Sequence, residues 1–377
     1  MEVIVIDNNS TDGSHAYLEP LFPQVQFCWG QKNIGFSKAC NQGLRLAKGS
    51  FVLFLNPDTI VPEDCFEKCL RFFKTHTDAG AIGVKMIDGS GKFLKESKRG
   101  FPSLPTSFFK LTGLTAMFPR SAFFSRYYLG HLDEHSNHIV DVLSGAFMMI
   151  RKDVLDITGG FDEHYFMYGE DIDLSYTIQK AGYRNYYYAD TTIIHFKGES
   201  TRKLSLRYII LFYKAMMIFV QKHYGRGSAL LYTCFIQAAI VFRAGVAAIT
   251  NSMSSLLKIK SSNADKYQHI YLAGYATECN NARLVLQKAG LEENIIGDII
   301  IEENENHVHK LLQADAVLKN NRLHKIVFCE GKLLFTVIIF LMQKLPSGVE
   351  AMIYADKSNC IVGSVSKNGE GDTIPEE

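Results

Sequence analysis

The sequence lacks several features that would assign the chain to common classes of protein. It has eight Cys but no CxxC pair, so no zinc framework is visible, and scattered Cys are typical of a reducing compartment. The net charge of +1 does not indicate a nucleic-acid partner. The N-terminus lacks the basic region of a signal peptide, and we therefore expect a cytoplasmic protein.

The composition that is present is typical of a globular protein. Hydrophobic residues make up 47% of the 377 residues and charged residues 21%, which is enough for a large core. At roughly 150 residues per domain, this length predicts two domains and leaves room for an appendage.

Short apolar runs alternate with helical patterns along the first half of the chain. Residues 3–6 and 51–55 are apolar runs typical of strands buried on both faces. Residues 37–48 have a helical pattern, with Ser37 as the predicted N-cap and Gly49 as the stop. The alternation predicts an α/β fold with a largely parallel sheet. Further strands are predicted at 25–27, 81–84, 146–150, 185–188 and 192–195, and further helices at 63–75, 151–158 and 170–181.

Polar side chains follow several of these strands, at the edge where open α/β sheets bind ligands. They are Asp7, the stretch from Asn56 to Asp58, and His195, with Glu170, Asp171 and Asp173 at the start of a helix. Hard oxygen ligands with one imidazole suit Mg²⁺ or Mn²⁺ shared with a substrate phosphate. Two simpler explanations stay open here. Asn-Pro-Asp is also good turn chemistry, and acids at a helix N-terminus are stabilised by the helix dipole.

Six stretches resemble family 2 glycosyltransferases of the GT-A fold, most closely the rhamnosyltransferase-like branch. They are VIVIDNNSTDGS, NIGFSKACNQGL, FVLFLNPD, LSGAFMMIRKDVL, GGFDEHYFMYGEDIDLSYTIQKAGY and IIHFKGES. The resemblance covers residues 1 to about 225 and includes the order and spacing of the stretches. It implies a nucleotide-diphospho-sugar transferase fold, with a mostly parallel sheet and flanking helices.

The resemblance also implies a role for individual residues. Asp58 matches the last residue of the family's DxD-type signature and would bind Mg²⁺ or Mn²⁺, with His195 as a second ligand. Asp171 would be the base that takes the acceptor proton during inverting transfer, with Glu170 and Asp173 positioning Asp171 or the acceptor. The donor nucleotide would be bound by Asp7, Asn9, Asn33, Gly35, Phe36 and Asn56. The acceptor and sugar pocket would be formed by Ser144, Gly145, Gly160, Phe161 and Asp162.

The implied activity is a metal-dependent transfer of a sugar in cell-surface polysaccharide synthesis. The donor would be a dTDP- or UDP-sugar, with rhamnose suggested by the branch, and the acceptor a saccharide or a polyprenyl-linked saccharide. Relatives act at the inner membrane, which implies a peripheral position on its cytoplasmic face. The apolar residues 228–250 fit an interfacial helix better than a membrane span, and a buried helix between the domains is the alternative.

The resemblance lacks one part of the family pattern, a strand and a helix that precede the DNNS motif in relatives. We therefore predict an N-terminally truncated GT-A domain at 1–203, a helical segment at 204–260, a small Rossmann-like domain at 265–366 and a disordered tail at 367–377. Because the absent strand helps to bind the nucleotide base, a catalytically inactive binding or assembly protein is an alternative. A Rossmann-type oxidoreductase is disfavoured, since YLAGYATECNNA lacks the GxGxxG fingerprint.

Overall fold

A computed structural model describes residues 1–196, 206–225, 227, 269–302, 325–346, 348–363 and 372–374. Helices and strands alternate through residue 195, which confirms the predicted α/β class. The strands of this first domain are β1 (Ile4–Ile6), β2 (Gln26–Cys28), β3 (Phe51–Leu55), β4 (Thr59–Ile60), β5 (Ala79–Ile87), β6 (His138–Val140), β7 (Phe147–Arg151) and β8 (Arg184–His195). The helices are α1 (Ser14–Leu21), α2 (Phe36–Leu46), α3 (Cys65–Thr75), α4 (Leu104–Leu111), α5 (Leu114–Met117), α6 (Lys152–Thr158), α7 (Glu170–Lys180) and α8 (Leu206–Tyr224).

The main sheet of the first domain is mixed. Its strand order is β3–β7–β5–β8–β4, and β6 is added beside β8. β5 and β8 are parallel, but β7 is antiparallel to both β3 and β5, and β4 and β6 are antiparallel to β8. The prediction of a mostly parallel sheet is wrong for this main sheet, because most of its described strand pairs are antiparallel. A long irregular segment precedes β7 in place of a single crossover helix, so β7 can enter the sheet from the opposite end.

β1 and β2 form a separate two-stranded parallel sheet. In the described part of the chain, neither strand bonds to a strand of the main sheet. The Glu2 carboxylate accepts hydrogen bonds from the N–H groups of Lys48 and Gly49 at 2.7 and 2.9 Å. Gly43 of α2 packs closely on Ile6. α2 and the turn after it therefore hold the small sheet in place.

Several predicted boundaries differ from the structure. α2 is not capped by Ser37, because Gly35, with a φ of 89°, is its N-cap and the helix begins at Phe36. The two strands predicted at 185–188 and 192–195 are one strand, β8, whose register with β5 shifts at a bulge. Residues 100–140, whose sequence shows no regular pattern and includes Pro102, Pro105 and Pro119, contain α4, α5 and β6.

The second domain contains one six-stranded sheet and two described helices. Its elements are β9 (Ile270–Gly274), α9 (Ala276–Lys288), β10 (Ile295–Ile300), β11 (Lys325–Cys329), α10 (Phe335–Met342), β12 (Glu350–Ala355), β13 (Cys360–Gly363) and β14 (Asp372–Ile374). The order is β10–β9–β11–β12–β13–β14, with the first four strands parallel. The tail was predicted to be disordered, but β14 lies within it. β14 pairs antiparallel with β13, so its backbone groups have hydrogen-bond partners in the sheet. The composition of the tail did not indicate this pairing.

The second domain packs on the first beside the end of β8. The Glu63 carboxylate accepts hydrogen bonds from the N–H groups of Phe335 and Thr336 at 2.7 and 3.1 Å. These N–H groups belong to the first turn of α10 and have no partner within the helix. One hydrophobic cluster crosses between the domains, and it includes Ile87, Ile194, Ile338 and Met342. Capping and apolar packing together attach the second domain near the sheet edge that carries His195.

The helical segment predicted at 204–260 is described only in part, by α8. No helix within the described ranges is both long enough and apolar enough to cross a membrane. The apolar residues 228–250, predicted to associate with a membrane, lie outside those ranges.

Candidate active site

Asp7 follows β1 and closes a tight turn. Its carboxylate accepts hydrogen bonds from the N–H groups of Asn9 at 2.9 Å and Ser10 at 3.1 Å. Burial opposes ionisation, but these hydrogen bonds outweigh it and lower the pKa of Asp7. Asn9 has a φ of 71°, a conformation that Asn adopts more readily than most residues. The turn presents a carboxylate at the end of β1, and the nucleotide-binding roles of Asp7 and Asn9 stay predictions.

The loop before α2 is tied to this turn and to the loop that precedes α7. Asn8 Nδ2 donates to Asn33 Oδ1 at 3.1 Å. Gly35 has a φ of 89°, and a Cβ there would lie 2.7 Å from the carbonyl oxygen of Phe166, so the position requires glycine. The N–H of Phe36 donates to the same carbonyl at 2.8 Å. The predicted donor-binding loop is therefore in contact with the segment that leads to the acidic residues.

β3 brings Asn56 and Asp58 to the edge of the main sheet. The N–H of Asn56 donates to the carbonyl of Ala146 at 3.0 Å. The Asn56 carbonyl accepts a hydrogen bond from Thr59 Oγ1 at 2.7 Å, which closes the turn into β4. β4 pairs with β8 so that Thr59 lies opposite His195. This register places His195 beside Asp58, although the two residues are far apart in the sequence.

Asp58 and His195 form a buried pair of acid and imidazole. Asp58 Oδ1 is 3.2 Å from His195 Nε2, and the two side chains are 19% and 6% exposed. Asp58 Oδ1 and His195 Nδ1 are buried, and neither has a hydrogen-bond partner among the described residues, whereas buried polar atoms normally have one. A carboxylate oxygen and an imidazole nitrogen are suitable ligands for a divalent cation such as Mg²⁺ or Mn²⁺. No group of three potential metal-binding side chains occurs within the described ranges, so these residues offer two ligands, Asp58 and His195.

Asp171 is bound by Arg99, which lies outside the predicted site. Arg99 Nη2 donates to Asp171 Oδ2, and also to the carbonyl of Leu143 at 2.8 Å. The N–H of Gly145 donates to the same Asp171 oxygen at 3.3 Å. Both members of the ion pair are largely shielded from water, which strengthens their attraction. These contacts hold the carboxylate in one position.

Residues 144–146 connect the two halves of the site. Gly145 binds Asp171 through its N–H, while Ala146 binds Asn56 through its carbonyl. Ser144 Oγ accepts a hydrogen bond from the N–H of Ala146 at 3.3 Å, which closes the loop on itself. The turn that carries Asp58 and the Asp171 carboxylate therefore lie on two sides of one short loop.

Glu170 is the first residue of α7 and is buried, with 7% exposure. Burial and the neighbouring charge of Asp171 raise the pKa of Glu170 to about 8. Its Oε2 atom has no hydrogen-bond partner among the described residues. Glu170 therefore holds a proton more tightly than a free carboxyl does, and in its protonated form it can donate a hydrogen bond directly beside Asp171.

Asp173 faces α8 and not Asp171. Lys222 Nζ donates to Asp173 Oδ2 at 2.8 Å and to Asp162 Oδ2 at 2.6 Å. His223 Nε2 lies 2.6 Å from Asp173 Oδ1. Two residues along an α-helix turn a side chain through roughly 200°, which explains the separation. Asp173 therefore does not position Asp171 directly; instead it links α7 and Asp162 to α8.

The ring of Phe161 lies in the core, although the residue also contributes to the lining of a cavity beside α7, and its predicted place in the acceptor pocket stays a prediction. Its side chain is 2% exposed and packs against the rings of Phe36 and Phe54, with centroids 6.0 and 4.6 Å away. Asn41 bonds both main-chain groups of Phe161, at 2.8 and 3.0 Å. Gly160 has a φ of 77°, and a Cβ there would lie 2.8 Å from Asn41 Oδ1. Gly160 and Phe161 thus fix the path of the main chain next to Asn41.

A cavity of about 410 Å³ lies along the face of α7 that carries Asp173. Its lining includes Gly160, Asp162, Asp173 and Lys222. Burial opposes ionisation of Asp162, but hydrogen bonds from Lys222 and His164 hold the pKa of Asp162 at about 2. The charged groups of its lining are bonded to one another, since Lys222 donates to both Asp162 and Asp173.

Sequence reasoning missed three residues of this site: Arg99 and His223 lie outside the six family-like stretches, and Asn41 lies within one of them but was assigned no role. Arg99 lies 72 residues from Asp171, and Asn41 lies 120 residues from Phe161, so no local spacing connects them. Lys222 belongs to a basic stretch of seven Lys or Arg residues from Lys197 to Arg226, and that charge pattern could have indicated it.

Comparison with known proteins identifies the family. A family model described as Glycosyl transferase family 2 matches residues 1–158. The N-terminal domain belongs to glycosyltransferase family 2. The chain is accordingly a glycosyltransferase, as the resemblance of its motifs implied, and its first domain has the α/β architecture expected of the GT-A fold.

Two similar proteins are rhamnosyltransferases. The N-acetylglucosaminyl-diphospho-decaprenol L-rhamnosyltransferase of Mycobacterium tuberculosis (strain ATCC 25618 / H37Rv) is 29% identical over 237 residues, which cover 60% of this chain and 76% of that protein. Rhamnosyltransferase WbbL of Escherichia coli (strain K12) is 29% identical over 160 residues, which cover 42% of this chain and 56% of WbbL.

Solved structures give weaker matches to this glycosyltransferase. GalNAc-T7 with UDP, GalNAc and Mn²⁺ matches with a TM-score of 0.41 and 12% identity, over 59% of this chain and 45% of that one. Residues 1–349 of Staphylococcus aureus TarS match with a TM-score of 0.38 and 18% identity, over 69% and 66%. With scores this low, the fold assignment rests on the family match and the observed architecture.

Proposed function

We propose that this glycosyltransferase moves a sugar, with inversion, from a nucleotide-diphosphate donor to a saccharide or lipid-linked acceptor. The arrangement that carries the proposal is the loop 144–146, which separates the Asp58 and His195 pair from the Asp171 carboxylate. Inverting transfer needs a site for the leaving diphosphate and, across from it, a base for the acceptor hydroxyl. The names of two relatives, both rhamnosyltransferases and one acting on N-acetylglucosaminyl-diphospho-decaprenol, support rhamnose as the sugar and a lipid-linked acceptor. The proposal adds a dTDP- or UDP-sugar donor and a role in surface polysaccharide synthesis at the cytoplasmic face of the membrane.

Asp171 is the proposed base. The acceptor hydroxyl oxygen bonds to the anomeric carbon as the bond from that carbon to the diphosphate breaks, and the hydroxyl proton passes to Asp171. Arg99 and the N–H of Gly145 hold one carboxylate oxygen, and the N–H of Ile172 donates to the other at 2.8 Å. Oδ2 thus accepts two hydrogen bonds and Oδ1 accepts one, which leaves a lone pair of Oδ1 for the acceptor proton. The raised pKa of Glu170 favours its neutral form, which adds no second negative charge beside Asp171.

Asp58 and His195 are the proposed ligands of a divalent cation, which would neutralise the charge that develops on the leaving diphosphate. Two buried atoms support this proposal: Asp58 Oδ1, which faces His195 Nε2 at 3.2 Å without a hydrogen bond, and His195 Nδ1, which has no hydrogen-bond partner among the described residues. Because the described chain contributes two ligands, the diphosphate and water would complete the coordination, as is usual for Mg²⁺.

A second candidate is a catalytically inactive binding or assembly protein on the same fold. The observation that favours it is the separation of β1 and β2, with Asp7, from the main sheet in the described residues. An inactive protein of this kind would not need to hold a nucleotide across the gap between the two sheets.

Calorimetric titration with UDP and dTDP, with and without Mn²⁺, tests the proposal. We expect binding that requires Mn²⁺ and that weakens at least about tenfold, or ~1.4 kcal/mol, in Asp58→Asn. Asp156→Asn is the control, because that carboxylate lies on the exposed side of α6 in a surface pair with Lys152. Asp171→Asn should keep donor binding and lose transfer to an acceptor. A folded protein that binds neither nucleotide would favour the inactive candidate.

A further inference from the structure

The edge of the main sheet that carries Asp58 and His195 is short. β4 contains two residues, Thr59 and Ile60, and is the last strand in the order of this sheet. Within the described ranges it pairs with β8 alone, and Thr59 lies opposite His195. A ladder of two residues opens readily, because few hydrogen bonds have to break. The short distance between Asp58 and His195 therefore depends on support from outside the main sheet.

The second domain packs beside both members of this pair. Ile60 lies two positions after Asp58. Ile194 and Phe196 directly precede and follow His195. Ile194 is buried in the hydrophobic cluster that crosses between the domains and is formed mostly by the second domain, and Ile60 and Phe196 pack against this cluster. Apolar contact with the second domain thus holds the backbone next to the acid and next to the imidazole.

The segment after β4 is hydrogen-bonded to the second domain through Glu63. Besides the N–H groups of Phe335 and Thr336, its carboxylate accepts a hydrogen bond from Thr336 Oγ1 at 2.9 Å. Burial opposes ionisation of Glu63, but its hydrogen bonds, including these, lower its pKa. A negative charge at this end of α10 is also favoured by the helix dipole. Because Glu63 lies five positions after Asp58, this contact restricts the turn that carries Asp58.

A third contact between the domains leaves no room for a side chain. Gly91 lies in the turn after β5 and has a φ of 76°. A Cβ at this position would lie 2.1 Å from the carbonyl oxygen of Met342, the last residue of α10. Since both partners are backbone, an added methyl group must push α10 away from the first domain.

One main-chain hydrogen bond joins the two segments that carry the proposed metal ligands. The N–H of Phe196 donates to the carbonyl of Asp58 at 3.0 Å. Phe196 also packs against the cluster between the domains, so this bond connects the packing of the second domain with the distance between Asp58 and His195. Hydrogen exchange at the Phe196 N–H measures how often this edge opens, whether or not a metal is bound.

We propose that the second domain positions Asp58 and His195, with Ile60, Glu63 and Phe196 as the positioning residues. The family match ends at residue 158, so it assigns no role to the second domain. The inference rests on the proposed function in one respect, the divalent cation that the pair would bind. Loss of contacts behind metal ligands weakens metal binding, and loosening the contact between the domains should do the same here.

Gly91→Ala tests the proposal in the full chain, because it adds one methyl group at the contact with Met342. We expect hydrogen exchange at the Phe196 N–H to become at least about tenfold faster, since overpacking favours the open state of the contact. Exchange at the Phe161 N–H, which donates to Asn41 within the first domain, should stay as in the wild type.

Gly113→Ala is the matched control, because Gly113 has a φ of 84° and nothing lies within 4 Å of an added Cβ. It carries the same kind of backbone strain without a contact between the domains. Glu63→Ala is a second test that adds no bulk. Removal of this helix cap should make exchange at the Phe196 N–H about fivefold faster. Glu67→Ala is its control, since the Glu67 side chain is 74% exposed on α3.

Calorimetric titration with Mn²⁺ in the presence of UDP or dTDP measures the consequence for the site. Gly91→Ala and Glu63→Ala should require about tenfold more Mn²⁺ for half-saturation, and both controls should bind as the wild type does. Unchanged exchange at the Phe196 N–H in both variants would overturn the inference, and so would faster exchange with wild-type affinity for Mn²⁺. Equal acceleration at the Phe161 N–H would also overturn it, because the change would then be in global stability. A wild type that binds no Mn²⁺ would overturn the proposed metal role alone, and exchange at the Phe196 N–H would then decide the inference.

Discussion

Replacing Glu170 with Gln should remove a pH dependence of stability that arises in the active site. Glu170 is buried, and its Oε2 atom has no hydrogen-bond partner in the described part of the chain. Burial and the charge of Asp171 raise the pKa of Glu170 from 4.5 to about 8. Gln has nearly the same shape as Glu and carries no charge, so the substitution isolates the ionisation.

The sign and size of the effect follow from proton binding. In the unfolded chain Glu170 loses its proton near pH 4.5, whereas in the folded protein it keeps it to about pH 8. Between these values the folded state binds one more proton, so the free energy of unfolding decreases as the pH rises. One proton corresponds to about 1.4 kcal/mol per pH unit, and ~5 kcal/mol across the window is an upper bound, because water entry lowers the cost of a buried charge. Outside the window the contribution is constant.

Urea unfolding followed by circular dichroism, between about pH 5 and about pH 8, measures this dependence. We expect the unfolding free energy of Glu170→Gln minus that of the wild type to grow with pH, at up to ~1.4 kcal/mol per unit. Glu67→Gln is the control, since the Glu67 side chain is 74% exposed on α3. Parallel pH curves for all three proteins would refute the reasoning, because Glu170 would then bind protons equally in both states.

Two further substitutions test contacts around the site. Lys222→Met removes the cation shared by Asp162 and Asp173, so the pKa of Asp162 should rise from about 2 toward its usual range, with a loss of about 1–3 kcal/mol in unfolding free energy. An NMR titration of Asp162 that shows no change would contradict the ion pair. Glu63→Gln weakens the cap of α10, and hydrogen exchange at the Phe335 N–H should report a loss of ~1 kcal/mol in opening free energy. Exchange as slow as in the wild type would mean that the cap contributes nothing.

The strands that could be predicted were those with a continuous apolar run. Residues 51–55 form β3 as predicted, because five apolar residues bounded by turn chemistry have few alternatives. The antiparallel direction of β7 could not be predicted, since strand direction depends on how the long preceding segment folds. The single strand β8 was predicted as two, because its bulge looks like an interruption in the sequence.

For the site, the motifs indicated which acids and which imidazole to consider, and the structure shows how they are grouped. Asp58 meets His195 only because β4 pairs with β8 in one register. Asp171 and Asp173 are near neighbours in the chain, yet they bind Arg99 and Lys222 on different sides of α7. The roles of these residues in transfer stay predictions until the substitutions are measured.

The sequence by itself determined the local features of this protein: its apolar strands, its polar strand ends, and the motifs of glycosyltransferase family 2. These depend on side-chain patterns and turn chemistry that act over a few residues. Only the tertiary structure decided the partners of the reactive groups, among them Arg99, which binds Asp171 across 72 residues, and Lys222, which binds Asp173 across 49. Such pairs arise from strand register and helix packing, which bring together side chains that no local spacing connects.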